Sequence, residues 1–265
     1  MTPSTPSLGL ATYVVLVCCF SVAPVAVILL ESLTAADYIT FPPRGISLRW
    51  YIEIAHRPEF IESLKVSAIV AMATAIGATA IGTMASLALV RYRFPGREII
   101  QSLFMAPLSL PALVLGIALL RFYIAAGLPR DVSTLIIAHL VVTTPFAIRL
   151  VTVALTGLDA NLELAANSLG ASRWRTFRYV TMPLIRPGIV ASLLFTFIIS
   201  FDEVAVSLFL SSPTAMTLPV LVFAYVEQNY DPFITAISSV LVLFAILMTV
   251  VLERTVGIGR IFGLR

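Results

Sequence analysis

The chain has 265 residues, of which 59% are hydrophobic and 12% are charged, and its formal net charge is +3. A mean hydropathy of +1.01 excludes an ordinary soluble globule, which carries about twice this share of charged residues. The basic residues lie between apolar blocks and form no stripe, so they indicate membrane topology rather than binding to nucleic acid. The composition therefore predicts an integral membrane protein whose surroundings are the lipid bilayer.

The apolar residues form blocks of roughly 20, the length with which a helix crosses a hydrocarbon core of about 30 Å. These blocks are too long and continuous for barrel strands, so they predict an all-α polytopic protein. The first block has no preceding cationic run and is interpreted as a retained helix rather than a removed signal peptide. We predict one transmembrane domain over residues 1–265 with six spans, at residues 8–30, 63–90, 99–126, 135–153, 188–210 and 233–252.

The distribution of basic residues predicts the orientation of these spans. With a cytoplasmic N-terminus, most of the 17 Lys and Arg residues fall in inside segments, including Arg260 and Arg265 near the C-terminus. Such an excess of positive charge marks the cytoplasmic side, and six spans then place both termini there. The basic residues that fall outside are Arg44, Arg49, Arg57, Lys65, Arg121 and Arg130.

Two spans show features of a packed helix bundle. In the third span, Pro107 and Pro111 interrupt the backbone hydrogen bonds and predict a kink or break near the cytoplasmic half. In the second span, small residues recur every four positions, which lets a neighbouring helix approach closely. These small residues are Ser67, Ala71, Ala75, Thr79 and Thr83, with Ala78, Gly82 and Ser86 beside them.

The segment 158–187 predicts a helical hairpin between the fourth and fifth spans. Small and apolar residues recur at helical spacing before Gly170, which is suited to the left-handed conformation that ends a helix. Ser172 is a suitable N-cap for a second short helix, and Pro183 and Pro187 are expected to end regular structure before the fifth span. On the second helix one face carries Trp174, Phe177 and Thr181, while Arg173, Arg175 and Arg178 point elsewhere.

This apolar strip is too short to span a membrane. A solvated linker has little reason to keep Trp174 and Phe177 on one face, whereas a helix that docks in a partner's groove requires such a strip. The pattern therefore predicts that the hairpin binds another polypeptide.

The run AANSLGAS followed by RWRTFRYVTMPLIRPGI resembles the EAA loop of binding-protein-dependent ABC transporter permeases. The glutamate of that motif would fall on Leu164, whereas Glu163 lies one residue earlier, and Met182 replaces the usual leucine. FPPRGISLRWY, RYRFPGR, MAPLSLPALVLGIALL and FTFIISFDEVAVSLFLSSP are also similar to segments of spermidine/putrescine-type permease subunits. The positions that match the loop motif are Ala165, Ala166, Gly170, Ala171, Phe177, Pro183 and Pro187.

The resemblance implies a type I ABC importer permease fold with a family core at residues 63–255 and a coupling loop at 158–187. It also implies a bacterial inner membrane, a second permease of different but homologous sequence, two ABC ATPase copies and a periplasmic or extracellular solute-binding protein. In that family the loop docks in the ATPase. The implied coupling residues are Glu163, Ala165, Ala166, Gly170, Ala171, Ser172, Trp174 and Phe177.

The chain itself has no ATP-hydrolysing motif and is predicted not to be an enzyme. A P-loop ends in Gly-Lys-Ser/Thr, but the one lysine, Lys65, follows Leu64. We expect no cofactor in this chain and expect the partner ATPases to bind ATP and Mg²⁺. His56 and His139 have no second ligand at metal spacing, which favours structural roles over a metal site.

Asp202 and Glu203 are candidate substrate-pathway residues because a charge deep in a span usually faces a bundle interior or water. Asp202 lies about 21 Å along a helix that starts at Gly188, toward the outer side. The alternatives are that the pair anchors helices through neighbours such as Arg121, or that the span breaks near Ser200.

The segment 213–231 predicts an outer re-entrant or interfacial helix near a substrate entrance. Tyr225 within it is a third pathway candidate, and an ordinary interfacial tyrosine is the alternative.

A polyamine such as spermidine or putrescine is the solute that the resemblance implies. The alternatives are an amino-acid derivative, an organophosphonate or ferric iron in the same importer architecture. A stand-alone channel or an ion-coupled secondary transporter is the rival from another class, and it leaves the hairpin unexplained.

Overall fold

The computed structural model describes residues 8–256, so the predicted cytoplasmic termini, with Arg260 and Arg265, lie outside the described residues. Helices dominate this part of the chain, and its extended pairing is limited to an isolated bridge between Ser212 and Ala215. The helices are α1 (Leu8–Glu31), α2 (Arg49–His56), α3 (Pro58–Arg91), α4 (Arg97–Met105), α5 (Ala112–Ala125), α6 (Val132–Thr156), α7 (Ala160–Ser168), α8 (Arg173–Thr176), α9 (Met182–Asp202), α10 (Ser207–Leu210), α11 (Leu218–Val226) and α12 (Phe233–Val256).

The predicted spans correspond to five long apolar helices and one bent pair. The five are α1, α3, α6, α12 and a continuous helix over Arg173–Asp202 that contains α8 and α9. The pair consists of Arg97–Ser109 and Ala112–Ala125, which meet at 108°. All-α architecture with about six spans is therefore confirmed.

The break in the bent pair falls where the prolines predict it. Pro107 lies in a 3₁₀ turn, Ala106–Ser109, and Pro111 caps the start of α5. A proline has no N–H to donate and its ring clashes with an α-helical turn before it, so neither position continues a straight helix. The predicted kink is thus a sharp change of direction.

The prediction that Pro183 and Pro187 end regular structure is wrong. Helix continues through both prolines because residues Phe177–Thr181 form a π-helical turn, in which the N–H of Met182 bonds to the carbonyl of Phe177. A π turn is wider than an α turn and leaves room for a proline ring just after it. Pro187 lies inside α9, and a buried membrane helix tolerates one missing ladder bond.

The predicted fifth span, residues 188–210, is also wrong in its extent. Helix α9 ends at Asp202, the backbone at Glu203 is extended, and helix resumes as α10 at Ser207. The alternative of a break near Ser200 therefore describes this span better than a continuous helix.

The chain divides into two compact units. One comprises the chain up to Ile61 with Val222–Ala245, and the other comprises Glu62–Leu221 with the chain from Ile246 onward. In the first unit, the hydroxyl of Tyr51 lies 2.7 Å from that of Ser32 and 2.6 Å from that of Ser239, and it thereby joins α2 to α12 and to the residue that follows α1. The indole of buried Trp50 donates to the carbonyl of Thr34 at 3.1 Å.

In the second unit, the small residues of the α3 rows are buried, as expected for close packing, except Thr83, which is half-buried. Thr79 and Ser192 hydroxyls lie 3.0 Å apart, and Ser86 donates to the carbonyl of Ile148 at 2.9 Å, so α3 is fastened to both α9 and α6. A Cβ added at Gly82 would lie 2.6 Å from the Cβ of Ala147. Hydrogen bonds and close backbone approach supply association energy between helices where the hydrophobic effect is weak.

Gly188 marks the closest approach of α9 to α6, because a Cβ there would overlap the Cβ of Ala154. We predict that Gly188→Ala lowers the free energy of unfolding by about 1–3 kcal/mol, since the added methyl group forces two packed helices apart. Thermal unfolding of the purified chain in detergent measures this. Gly9→Ala is the matched control, because Gly9 is also helical but has nothing within 4 Å. Equal melting temperatures for the two variants would contradict the prediction.

Candidate functional site

The predicted hairpin is present between α6 and α9. The side chain of Asp159 caps α7 by accepting the N–H of Asn161 at 2.9 Å. Gly170 adopts a φ of +84°, which favours glycine, and the N–H of Ala171 bonds back to the carbonyl of Ala166 at 3.1 Å. Ser172 then caps α8 through the N–H of Arg175 at 3.4 Å. We call α7, α8 and the turn between them the hairpin.

The tip of the hairpin exposes apolar side chains. Leu169, next to Gly170, is 89% exposed, and Leu162 and Leu164 are also exposed on α7. Trp174 on α8 is 67% exposed, and its ring centroid lies 5.6 Å from that of Phe177. Leucine and tryptophan side chains exposed together at a turn are typical of a surface that another protein covers.

A groove of about 510 Å³ runs along the hairpin. Trp174, Phe177 and Thr181 all line it, as expected for one face, but Arg173, which was predicted to point elsewhere, lines it too. The end of α3 forms the opposite wall through Leu87, Arg91 and Tyr92. The predicted coupling residues Gly170 and Ser172 lie at the exposed turn, with Ala171 partly buried.

Glu163 lies on the floor of this groove and not at the exposed tip. Its carboxylate forms an ion pair with both terminal guanidinium nitrogens of Arg91 and accepts a hydrogen bond from the hydroxyl of Thr181. The Glu163 side chain is 16% exposed. It therefore ties α7 to the end of α3 and to the π-helical turn.

The sequence did not reveal Arg91 as the partner of Glu163, because the two residues lie 72 positions apart. A second contact within the hairpin, from the hydroxyl of Thr176 to the side-chain oxygen of Asn167 at 3.1 Å, was also missed. Ala165 is exposed and Ala166 is half-buried on the same helix. The hairpin is thus held in shape by polar contacts that local sequence patterns do not encode.

At the break after α9, the carboxylate of Asp202 is exposed, whereas the carboxylate of Glu203 forms a hydrogen bond. Glu203 caps α10 by accepting the N–H of Val206 at 2.8 Å. Asp202 is exposed and has no hydrogen bond or ion pair within residues 8–256. The proposed anchor, Arg121, is likewise exposed and forms no ion pair with it in that part of the chain.

His139 holds the two sides of this break together. One ring nitrogen lies 2.8 Å from the hydroxyl of Ser200 in α9, and the other lies 2.8 Å from the hydroxyl of Ser207 in α10. A neutral imidazole donates through one nitrogen and accepts through the other, so the buried ring is fully satisfied. The structural role predicted for His139 follows from this geometry.

Tyr225 lies on α11, where a short helix was predicted, and belongs to the first unit. Its hydroxyl donates to Asp231 at 2.8 Å and accepts from Arg57 at 3.3 Å. It is therefore part of a charged network rather than a simple interfacial aromatic. The described residues contain no group of three or more His, Cys, Asp or Glu side chains arranged to hold a metal ion.

Apolar spans, one of them broken beside an exposed carboxylate, and a helical hairpin with an exposed apolar tip are typical of a membrane subunit that works with a partner protein. Residues 78–258 match the family described as binding-protein-dependent transport system inner membrane component. The chain belongs to this family: it is the membrane-spanning permease subunit of an ABC importer, and ATP hydrolysis is the task of a separate subunit.

Curated relatives and solved structures agree with this placement. The chain is 31% identical to the putrescine transport system permease protein PotI of Escherichia coli K12, over 84% of this chain and 81% of the relative. It is 28% identical to the spermidine/putrescine transport system permease protein PotC of the same strain, over 78% of each. A bacterial ABC transporter involved in import of the acidic polysaccharide alginate shares the fold, with a TM-score of 0.69 and 14% identity, over 93% of this chain and 92% of that one.

The Arg91–Glu163 pair yields a charge-reversal prediction. Arg91→Glu or Glu163→Arg alone places like charges together and should lower the free energy of unfolding by about 2 kcal/mol, whereas the double variant should recover most of the loss. Thermal unfolding of all four proteins measures this. The exposed pair Lys65 and Glu62, 2.6 Å apart, is the control and should cost less than about 1 kcal/mol when reversed. Strictly additive losses in the Arg91 and Glu163 series would refute the pairing.

Proposed function

We propose that this permease subunit moves a polyamine, such as putrescine or spermidine, from an external solute-binding protein to the cytoplasm by alternating access. Its partners in this proposal are a second, homologous permease chain and two ABC ATPase subunits, which bind ATP and Mg²⁺. The observation that carries the proposal is the carboxylate of Asp202, which is exposed at the break in a membrane-crossing helix and has no ion pair within residues 8–256. The solute class comes from the similar proteins PotI and PotC, which are permease proteins of putrescine and spermidine/putrescine transport systems.

A carboxylate in that position needs a physical explanation. An uncompensated charge at the centre of a bilayer costs about 3 kcal/mol on insertion scales, so it persists where water or a cation reaches it. Asp202 has no cationic side chain as a partner within the described residues. An ammonium group of a passing solute would supply the missing positive charge. Asp202 would therefore bind a polyamine more tightly than a neutral solute.

The hairpin is the part of the chain that we assign to the ATPase groove. Its apolar tip at Leu169 and Trp174 provides the buried contacts, and the neighbouring arginines Arg173, Arg175 and Arg178 favour a cytoplasmic location. With six spans this orientation puts both termini in the cytoplasm. The coupling residues predicted from the sequence lie at or near this tip, except Glu163, whose proposed role is to hold the hairpin in position.

The continuous helix over Arg173–Asp202 gives the coupling a mechanical form. Its 30 residues extend about 45 Å, with the hairpin at one end and Asp202 at the other. Movement of a docked ATPase would be transmitted along one rigid element, because no flexible linker interrupts it. The cycle then runs as a population shift, provided that ATP stabilises one of the two access states more than the other.

The docking assignment predicts unequal effects for two exposed aromatic residues of this helix. Trp174→Ala should weaken binding of the ATPase subunit at least tenfold, because it removes a large apolar contact from the tip. Tyr179→Ala is the matched control, since Tyr179 is 72% exposed but points to a different side of the helix. Titration of the ATPase onto the permease in nanodiscs measures both affinities. Equal affinities for the two variants would rule out docking through Trp174.

The solute assignment is tested in the reconstituted complex. Wild-type proteoliposomes should take up putrescine or spermidine, with stimulation of ATP hydrolysis, and should not respond to an amino acid, 2-aminoethylphosphonate or ferric iron. Asp202→Asn should raise the KM for the polyamine roughly tenfold while the complex stays assembled, because the variant keeps the shape and loses the charge.

Asp37→Asn serves as the control for Asp202→Asn, because the Asp37 side chain is strongly exposed and lies in the other unit. Unchanged transport by Asp202→Asn would remove Asp202 from the pathway. Uptake of a different solute class by the wild-type complex would overturn the polyamine assignment.

A further inference from the structure

A cluster of three aromatic rings and three charged side chains lies within the first unit. Phe60, Tyr225 and Phe233 pack edge to face or tilted, with ring centroids 5.1 to 5.8 Å apart. The guanidinium of Arg57 lies 4.1 Å from the ring centroid of Phe233 and 5.5 Å from that of Tyr225. We call this cluster, with Glu53 and Asp231, the cage.

The cage carries one more negative charge than positive charge. Arg57 is its cation, while Glu53 and Asp231 are its carboxylates. Asp231 accepts one hydrogen bond, from the hydroxyl of Tyr225, through a single oxygen. Its other oxygen is buried and has no hydrogen-bond partner within the described residues. A buried carboxylate oxygen without a donor is costly, so the cage is incomplete as it stands.

Arg57 is able to leave the rings without losing its ion pair. Its carboxylate partner, Glu53, lies four residues earlier on α2, so the two side chains form a pair within one short segment. Arg57 is also 29% exposed, and its link to Tyr225 is a single hydrogen bond of 3.3 Å. Release from the cage therefore costs the cation–π contacts and that hydrogen bond, while the charge stays neutralised.

We infer that the cage is a binding site for an alkylammonium group, which displaces Arg57 from the ring faces and donates to the free oxygen of Asp231. Aromatic rings with a nearby carboxylate are the groups that recognise such cations, and the resident guanidinium marks where the cation sits. The inference rests on the proposed function to the extent that the transported solute supplies the ammonium group. It adds a second contact point for that solute, and Arg57 acts as a tethered competitor.

Two substitutions in the complete importer test this inference, because they should change the KM for putrescine in opposite directions. Asp231→Asn should raise the KM for putrescine roughly tenfold with little change in kcat, because the charge-assisted contact is lost. Arg57→Gln should lower the KM severalfold, because the solute no longer competes with a tethered cation. Damage to the fold lowers kcat, so a lowered KM with kcat retained separates loss of the competitor from misfolding. Arg44→Gln, which removes a guanidinium that bonds Tyr38 in the same unit, is the control.

Backbone hydrogen exchange in residues 226–233 gives a readout that does not need transport. Putrescine added to the assembled complex without ATP should slow exchange there in the wild type and not in Asp231→Asn. Putrescine transport with no change of KM in either variant, and no protection, would overturn the cage while leaving the proposed function intact. Protection that depends on Asp231, without putrescine transport, would support the cage and overturn the proposed function.

Discussion

The structure depends on the requirement that every backbone polar group in lipid finds a partner inside the protein. Unbroken helices meet it by themselves, but the chain departs from the helix at residues 203–206. There Glu203 accepts the N–H of Val206, and His139 joins the hydroxyls of Ser200 and Ser207. Glu203 thus satisfies one backbone N–H at the break, while His139 fastens the two flanking helices to each other through side-chain hydroxyls. Asp202 lies exposed beside these contacts and has no hydrogen bond or ion pair within residues 8–256.

The same requirement explains how the hairpin is joined to the membrane. Two prolines follow it, and an α-helical path would have ended there. A π-helical turn over Phe177–Thr181 lets helix continue through both, and Glu163 fastens α7 to that turn through Thr181. The hairpin and the span above it are consequently one mechanical element. A permease that is driven from outside the membrane needs such rigidity, since a flexible joint would absorb the movement.

Charge is distributed differently in the two units. In the second unit, Asp202 has no partner in the described chain, whereas in the first unit Glu53 pairs with Arg57, and Asp231 accepts a hydrogen bond from Tyr225, which in turn accepts one from Arg57. An internal cation keeps the carboxylates and rings of the cage preorganised while no solute is present. A solute then exchanges with Arg57 and does not have to order an empty site, which lowers the entropic cost of binding.

Hydropathy and local signals in the sequence determined the membrane location, the count of spans, the turn at Gly170 and the cap at Ser172, because each depends on residues close together in the chain. The motif around Gly170 also determined the family. The tertiary structure alone decided that Glu163 faces Arg91 instead of a partner, that His139 bridges the break, and that Arg57 lies against Phe233. These contacts join residues far apart in sequence, and a single chain shows no local pattern for them. The path of the helix through Pro183 was likewise not predicted, because local sequence rules place a proline at a helix end and give no signal for the π-helical turn that precedes it.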